Sequence, residues 1–549
     1  MPSITLTTLN ARYIHASLGL RYLFANMGHL QPSTTLLEFT IDNRPIDIAE
    51  TLLHRAAELK QSQMNTAAQT SSPPAPAATS DRRPNIIGFG VYIWNIQETT
   101  EVIALIKSIS PETVIVIGGP EVSYETTEQA ITALADHVIP GAADLSFRVL
   151  CEKILQGKPP LNKVEASPPI DLASITLPYQ YYNDQDIANR VMYVEASRGC
   201  PFKCEFCLSS LDKTAWPFDL DLFLGEMQAL YTRGARHFKF VDRTFNLKID
   251  TSIKILTFFL DRLDDKLFLH FELIPDHLPD RLKAIIQKFP QGSLQFEIGI
   301  QSFNPEVQKH ISRKQDTDKT LQNIHWLRTE TQAYLHTDLI IGLPGEDVAS
   351  FARGFNTLAA LKPHEIQVGI LKRLRGTPII RHSNTFNIRY NPYPPYNILC
   401  SDRIDFNTMQ QLTRFARYWD MIANSGRFTN SLWLILGDNP FDKFFTLSEW
   451  LYQRTRQTHR LALPRLFELL YTGCIECLNI AAEVAADSLW QDYQNTKLKS
   501  RPSFIAEKVT AKATKKATAK PAMNKPPVTK TPSKAGKRQS RHLQPPSAT

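Results

Sequence analysis

Long hydrophobic runs are missing from this chain. No stretch approaches 18 uninterrupted apolar residues, which argues against a membrane span. The first ten residues lack the basic start and apolar core of a secretory signal, so export is not expected either. Cysteine is scarce, with seven in 549 residues, too few for a disulfide scaffold; three of them fall within eight positions. Acidic residues are nearly absent from the end of the chain, where residues 501–549 hold twelve Lys and Arg against the single Glu507. The overall net charge of +8 therefore belongs to that tail. What is present, 43% hydrophobic residues and 36 prolines, suits a large multi-domain protein, read here as cytoplasmic with one metal or redox site.

Short β-type runs at 3–9, 34–39, 86–92, 114–118 and 137–140 alternate with amphipathic stretches at 18–30 and 99–110. That alternation predicts an α/β domain over 1–155 with a flavodoxin-like, doubly wound parallel sheet. Residues 61–84, rich in Ala, Ser, Thr and Pro, read as a disordered insertion in it. After a linker at 156–189, strands are expected at 192–196, 238–241, 268–273, 294–300, 335–341 and 366–370, separated by helical patterns. Six βα units over 190–380 predict a partial (β/α)6 barrel with its chemistry at the carboxyl ends of the strands. Residues 381–498, including continuous helical patterns at 409–422 and 463–489, predict a helical C-terminal domain. The remainder, 499–549, reads as a disordered basic tail that adds nothing to folding stability.

The strongest motif is Arg198-Gly-Cys-Pro-Phe-Lys-Cys-Glu-Phe-Cys207, a C-x3-C-x2-C array directly after a strand. Cys200, Cys204 and Cys207 on one short loop suit a soft-metal cluster, and three ligands to a four-iron cubane leave one iron open to a substrate. Zinc would need a fourth ligand and lacks its usual paired spacing here. Other strand ends carry polar patterns: Asp242 in Lys239-Phe-Val-Asp-Arg-Thr-Phe-Asn246, and Glu297 with Gln301 alternating along 296–302. The alternative for Asp242 is a capped or salt-bridged acid at a strand end. Gly342 and Gly345 form a turn after the fifth strand, in Gly-Leu-Pro-Gly-Glu346, and paired Gly118-Gly119 follow the fourth N-terminal strand.

The cysteine loop, with Phe206 as its aromatic, resembles the signature of the radical S-adenosylmethionine (SAM) superfamily. The resemblance covers about residues 190–375. It implies a 4Fe-4S cluster held by Cys200, Cys204 and Cys207, and SAM bound on the open iron and cleaved reductively to a 5'-deoxyadenosyl radical. It further implies SAM contacts from Phe206, Asp242, Glu297, Gln301, Gly342 and Gly345, with electrons from a donor such as flavodoxin or ferredoxin. Relatives often have an apolar residue or proline where Arg375 stands, in Arg373-Leu-Arg-Gly-Thr-Pro378, so the local substrate side departs from the pattern.

An α/β domain ahead of such a barrel resembles the cobalamin-binding branch of the superfamily, including uncharacterised members that begin with an Asn-Ala-Arg-Tyr-Ile-His-Ala-Ser-Leu-Gly type segment, here 10–19. The resemblance implies cobalamin near His15, Gly118 and Gly119. The Asp-x-His-x-x-Gly ligand motif of other corrinoid proteins is absent, so His15 is either a cobalt ligand or a hydrogen-bonded loop histidine. The expected activity is cobalamin-dependent methylation or rearrangement of an unactivated carbon. Two alternatives stand beside it. One is a tRNA methylthiotransferase-like enzyme, disfavoured because Cys151 is the only cysteine before Cys200. The other is a non-catalytic cluster or cobalamin sensor whose basic tail binds nucleic acid. Cys474 and Cys477 read as packed helical thiols or an auxiliary metal or redox site; Cys400 and Cys151 read as structural.

Overall fold

The computed structural model describes residues 3–55, 84–505 and 538–542. Apart from Pro84, the insertion expected at 61–84 lies outside the described residues, as does most of the expected tail. The chain forms two compact units: 1–242 with 373–378 and 391–396, and 243–372 with 379–390 and 397–549.

In the first unit, β1 (Ser3–Asn10), β2 (Thr34–Thr40), β3 (Asn85–Gly90), β4 (Val114–Gly118) and β5 (His137–Ile139) form one sheet in the order β2-β1-β3-β4-β5. Every pair is parallel, and the order is the doubly wound one expected for a flavodoxin-like sheet. All eight residues of β1 are buried because both sheet faces are covered. Alternation sends Ile4 and Leu6 to one face, against Leu20, Met27 and Phe147, and Leu9 to the other, against Ile48, Val102 and Ile103. The helix Leu18–Ala25 starts at Ser17, whose side chain accepts the Leu20 N–H. It ends sooner than the 18–30 pattern suggested, since the 3-10 turn Gly28–Ser33 takes over.

The same unit holds β6 (Met192–Val194), the short antiparallel pair β7 (Ser197–Arg198) and β8 (Trp216–Pro217), and β9 (His237–Phe240), which runs parallel to β6. Asp219 caps the helix Leu220–Thr232 between β8 and β9.

The second unit contains β10 (Phe268–Leu273), β11 (Leu294–Gln301), β12 (Tyr334–Ile341) and β13 (Glu365–Ile370), paired in parallel in chain order. Helices Asp280–Ile286, Thr317–Glu330 and Val348–Ala360 lie between them in the chain, so the six expected βα units are present in sequence. The region beyond them is largely helical. Phe355 packs edge-on against Phe415 and Trp419 of the helix Phe406–Ile422, and both meet Phe444 of the helix Pro440–Thr455. The single helical pattern at 463–489 resolves into two helices, Leu463–Glu476 and Ala482–Gln494. The break contains Asn479 in a left-handed conformation, which a continuous helix cannot accommodate.

The expectation of an unengaged tail needs correcting where the tail is described. Phe504 and Ile505 are buried, and Phe504 stacks on Tyr471. Further on, Arg538 pairs with Glu365 and Asp420, each at 2.7 Å, and Arg541 donates to the Ser425 carbonyl. Composition hid this because a few anchoring residues sit in a segment dominated by Lys, Ala, Thr and Pro. Truncation after Leu498 should therefore lower stability by about 3 kcal/mol or more, from the loss of two buried apolar side chains alone. A melting temperature unchanged from that of the full chain would contradict it.

Candidate functional site

The cysteine loop is built by close packing of its own backbone. Gly199 has φ +93°, and a Cβ there would lie 2.6 Å from Thr214 Oγ1 and 2.7 Å from the Ala215 nitrogen. Only glycine lets the two arms of the loop cross this closely. The Cys200 N–H then donates to the Asp212 carbonyl at 2.8 Å, and the Ser210 hydroxyl reaches the carbonyls of Cys204 and Cys207 at 2.8 and 2.7 Å. Cys200 and Cys204 are buried, Cys207 and Phe206 half-buried. Among the described residues no three His, Cys, Asp or Glu side chains converge on one ion position. Each thiolate of a cubane takes a different iron, so convergence on one point is not what a cluster loop requires. The donor set, three thiols on one braced loop, fits an iron-sulfur cluster.

Arg198, two residues before Cys200, joins this loop to the five-stranded sheet. Its guanidinium pairs with Glu195 at 2.6 Å and with Asp144 at 3.0 Å, and lies over the Tyr22 ring. Asp144 belongs to the segment that follows β5. The sequence reading missed this bridge, since nothing in Asp144 itself marks it.

Asp242 is buried and turned toward the strand end that leads into the loop. Its two oxygens accept from the Ala196 N–H at 3.0 Å and the Ser197 hydroxyl at 2.6 Å. Burial pushes its carboxyl up to about 7, against the opposing effect of these hydrogen bonds. His15 follows β1, and its Nδ1 shares a 2.7 Å hydrogen bond with the Tyr193 hydroxyl. Burial, then Lys239 and Arg12, lower its pKa, so the imidazole is neutral at pH 7. Gly119 has φ +107°, and the space its Cβ would enter is taken by the Val91 backbone, with the carbonyl oxygen 2.5 Å away; at Gly118 a Cβ would meet only the Ile139 carbonyl, at 3.4 Å. The close approach at Gly119 is thus between two segments of the chain itself.

In the second unit, Glu297 is half-buried and accepts from or donates to His270 Nε2 at 3.0 Å. The simple alternation expected through Gln301 is interrupted: pairing of β11 with β12 shifts between Gly299 and Gln301, where Gln301 has φ +73°. Its side-chain amide lies 2.6 Å from where a Gly299 Cβ would be. Gly342 and Gly345 both have positive φ and form the turn after β12. Two His-x-acid pairs that the sequence displayed went unread: His270 with Glu272, and His336 with Asp338. His336 lies 3.2 Å from Asp338 and 3.3 Å from Glu365, and despite its burial these carboxylates hold its pKa well above the usual histidine value.

Glu346 closes the β12 turn. It is buried, accepts from the Ser302 hydroxyl at 2.5 Å, and its Oε2 has no hydrogen-bond partner. Burial pushes the carboxyl up to about 7. A folded pKa above the unfolded one means that the protonated acid favours folding, so this contribution is fully present below pH 4.5 and is lost as pH rises through about 7. Glu346 alone should take on the order of 3 kcal/mol from the stability read by thermal unfolding between those limits. Glu346→Gln should flatten that part of the profile; identical pH slopes in the two proteins would refute the assignment.

Residues 194–356 match the family model described as the Radical SAM superfamily. Residues 384–543 match one described as Protein of unknown function (DUF4080), a span that includes the docked residues 538–542. Residues 194–356 of the chain therefore form a radical SAM domain. Among curated proteins it is similar to an uncharacterised methyltransferase of Pyrococcus horikoshii, 26% identical over 297 residues, covering 48% of this chain and 61% of the relative. A ribosomal protein uS12 methylthiotransferase of a Roseiflexus species is 28% identical over 200 residues, covering 34% of this chain and 41% of the relative. The chain thus spans less than two thirds of the length of these relatives. Two solved structures share the fold. The radical SAM methyltransferase TsrM of Kitasatospora setae has a TM-score of 0.53 at 15% identity, covering 72% of this chain and 79% of its own. The cobalamin-dependent SAM radical enzyme OxsB has a TM-score of 0.56 at 14% identity, covering 93% and 81%. Among the described residues no helix is long and apolar enough to cross a membrane.

Proposed function

We propose that this protein is a cobalamin-dependent radical SAM enzyme that methylates or rearranges an unactivated carbon. The observation that carries the reading is the Arg198 to Asp144 bridge, which seats the cysteine loop against the segment leaving the carboxyl end of β5. In doubly wound sheets ligands bind at that edge, where the strand order reverses between β1 and β3. The loops after β1, β3 and β4 expose Tyr13, Trp94 and Tyr124, apolar rings suited to a flat macrocycle. Both TsrM and OxsB have been solved with cobalamin bound.

Cys200, Cys204 and Cys207 would hold the cluster. Bound cluster, SAM and cobalamin would together supply the electron, the radical and the methyl group. The chain's own residues position these groups. Asp242 and Ser197 fix the strand end before the loop, Ser210 fixes the loop carbonyls, and Glu297, Gln301 and the turn at Gly342 and Gly345 are assigned to SAM. With its Nδ1 engaged by Tyr193, His15 is tied to β6, and the corrin is expected to bind without a protein imidazole. A flavodoxin or ferredoxin is the expected class of electron donor. Methylthiolation fits less well, because Cys151, the only cysteine ahead of the cluster loop, is buried and burial pushes its thiol pKa up. Anaerobic reconstitution with hydroxocobalamin, followed by gel filtration and visible absorbance, tests the reading. Co-elution of about one corrin per chain is expected; a folded protein that retains none overturns the cobalamin assignment.

A further inference from the structure

We propose that Arg375 is a positioning residue that clamps the loop after β4, and with it the cofactor-facing edge of the five-stranded sheet. This deepens the cobalamin reading and rests on it for its functional consequence.

All three side-chain nitrogens of Arg375 have acidic or phenolic partners within the first unit. Nε lies 3.1 Å from Glu121 Oε1, one terminal nitrogen 3.0 Å from Glu125 Oε2, and the other donates to the Tyr396 hydroxyl at 3.1 Å. The Tyr396 hydroxyl in turn donates to Glu121 at 2.7 Å, and Arg373 takes the other Glu125 oxygen at 2.8 Å. Glu121 follows the Gly118-Gly119 turn directly after Pro120 and its side chain is only 3% exposed. Leaving such a carboxylate buried without its partner is costly, so the loop holds this course while the guanidinium fork is in place.

Shape adds to charge. Gly376 has φ +78°, and a Cβ there would fall 2.2 Å from Cγ of Tyr124, so the Tyr124 ring lies directly on the Gly376 backbone. Tyr124 is one of the exposed rings at the sheet edge assigned to the corrin. The clamp segment 373–378 continues the chain from β13 with only Leu371 and Lys372 between. Within the first unit, segment 373–378 is therefore held by Arg375 and Gly376 to the loop that bears Tyr124. Lysine gathers its three donors on one nitrogen and cannot reproduce the planar fork whose separate nitrogens reach Glu121, Glu125 and Tyr396.

Hydrogen exchange on the full-length protein tests the clamp. Arg375→Met and Arg375→Lys should each accelerate exchange across 119–129 about tenfold while leaving β1 and β3 unchanged. Gly376→Ala, which keeps every charge, should do the same by displacing Tyr124, and serves if Arg375→Met does not fold. In the same proteins, equilibrium titration with hydroxocobalamin should show affinity weakened about tenfold. Unchanged exchange across 119–129 in the folded Arg375 variants overturns the clamp. Faster exchange with unchanged corrin affinity overturns its positioning role. If the wild type binds no corrin, the cobalamin reading falls, and the exchange data alone decide whether Arg375 holds the loop.

Discussion

Replacement of Cys204 by Ala is expected to reduce cluster iron and SAM cleavage to background while leaving a folded protein. Only one sulfur is removed, and the loop's course is set by other groups: the Gly199 crossing, the Cys200 N–H to Asp212 bond and the Ser210 hydroxyl on the Cys204 and Cys207 carbonyls. The stability cost should be about 1 kcal/mol, as for loss of a small buried group. A two-ligand loop, by contrast, cannot keep a cubane with one open iron. The same outcome is expected at Cys200 and Cys207. Replacing Cys474 and Cys477 together is the control. Cys474 is fully buried, Cys477 donates to the Gly473 carbonyl, and burial pushes their thiols up to about 12 and about 11. Both are protonated packing groups, so cleavage should persist. Iron and sulfide per chain and 5'-deoxyadenosine formation are the measurements; full iron in the Cys204→Ala protein would disprove the ligand assignment.

Gly119→Val should cost about 3 kcal/mol or more and yield poorly folded protein whether or not a corrin is present. A β-branched residue would be forced to φ +107° with its Cβ 2.5 Å from the Val91 carbonyl oxygen. Val91 cannot move aside cheaply, because its N–H donates to the Gly118 carbonyl and its carbonyl accepts from the Glu121 N–H. Loss of corrin binding in that variant would report a broken turn. Gly118→Ala separates the two effects: its Cβ would sit in ordinary contact at 3.4 Å from the Ile139 carbonyl, so stability should change by under about 1 kcal/mol. If the nucleotide tail of the corrin passes along this turn, Gly118→Ala should weaken hydroxocobalamin retention in gel filtration; retention equal to wild type would place the tail elsewhere. Thermal melts of both variants without corrin provide the baseline.

Much of the architecture was written in local pattern. The five N-terminal strands and the six later parallel strands lie within a few residues of where the sequence pattern put them, because short β-type runs separated by helical patterns are a local signal. The C-x3-C-x2-C spacing likewise carried its own chemistry, since three soft ligands in eight residues have few other uses. Long helices were less legible at their ends: apolar periodicity continues through 477–481, and the turn at Asn479 leaves no breaker in the sequence. Arg375 was visible as a departure without a visible cause.

The sequence by itself determined the order of the strands along the chain, the parallel sheet class and the three-cysteine loop that is the candidate cluster site, because each depends on residues close together in the chain. Only the tertiary structure decided that Arg198 reaches Asp144, that Arg375 answers Glu121 and Glu125, that Gly119 yields to the Val91 backbone, and that Arg538 docks on Glu365. These pairs are separated by between 28 and 254 residues. A charge announces that it needs a partner; which partner it finds depends on the packing that brings distant segments together.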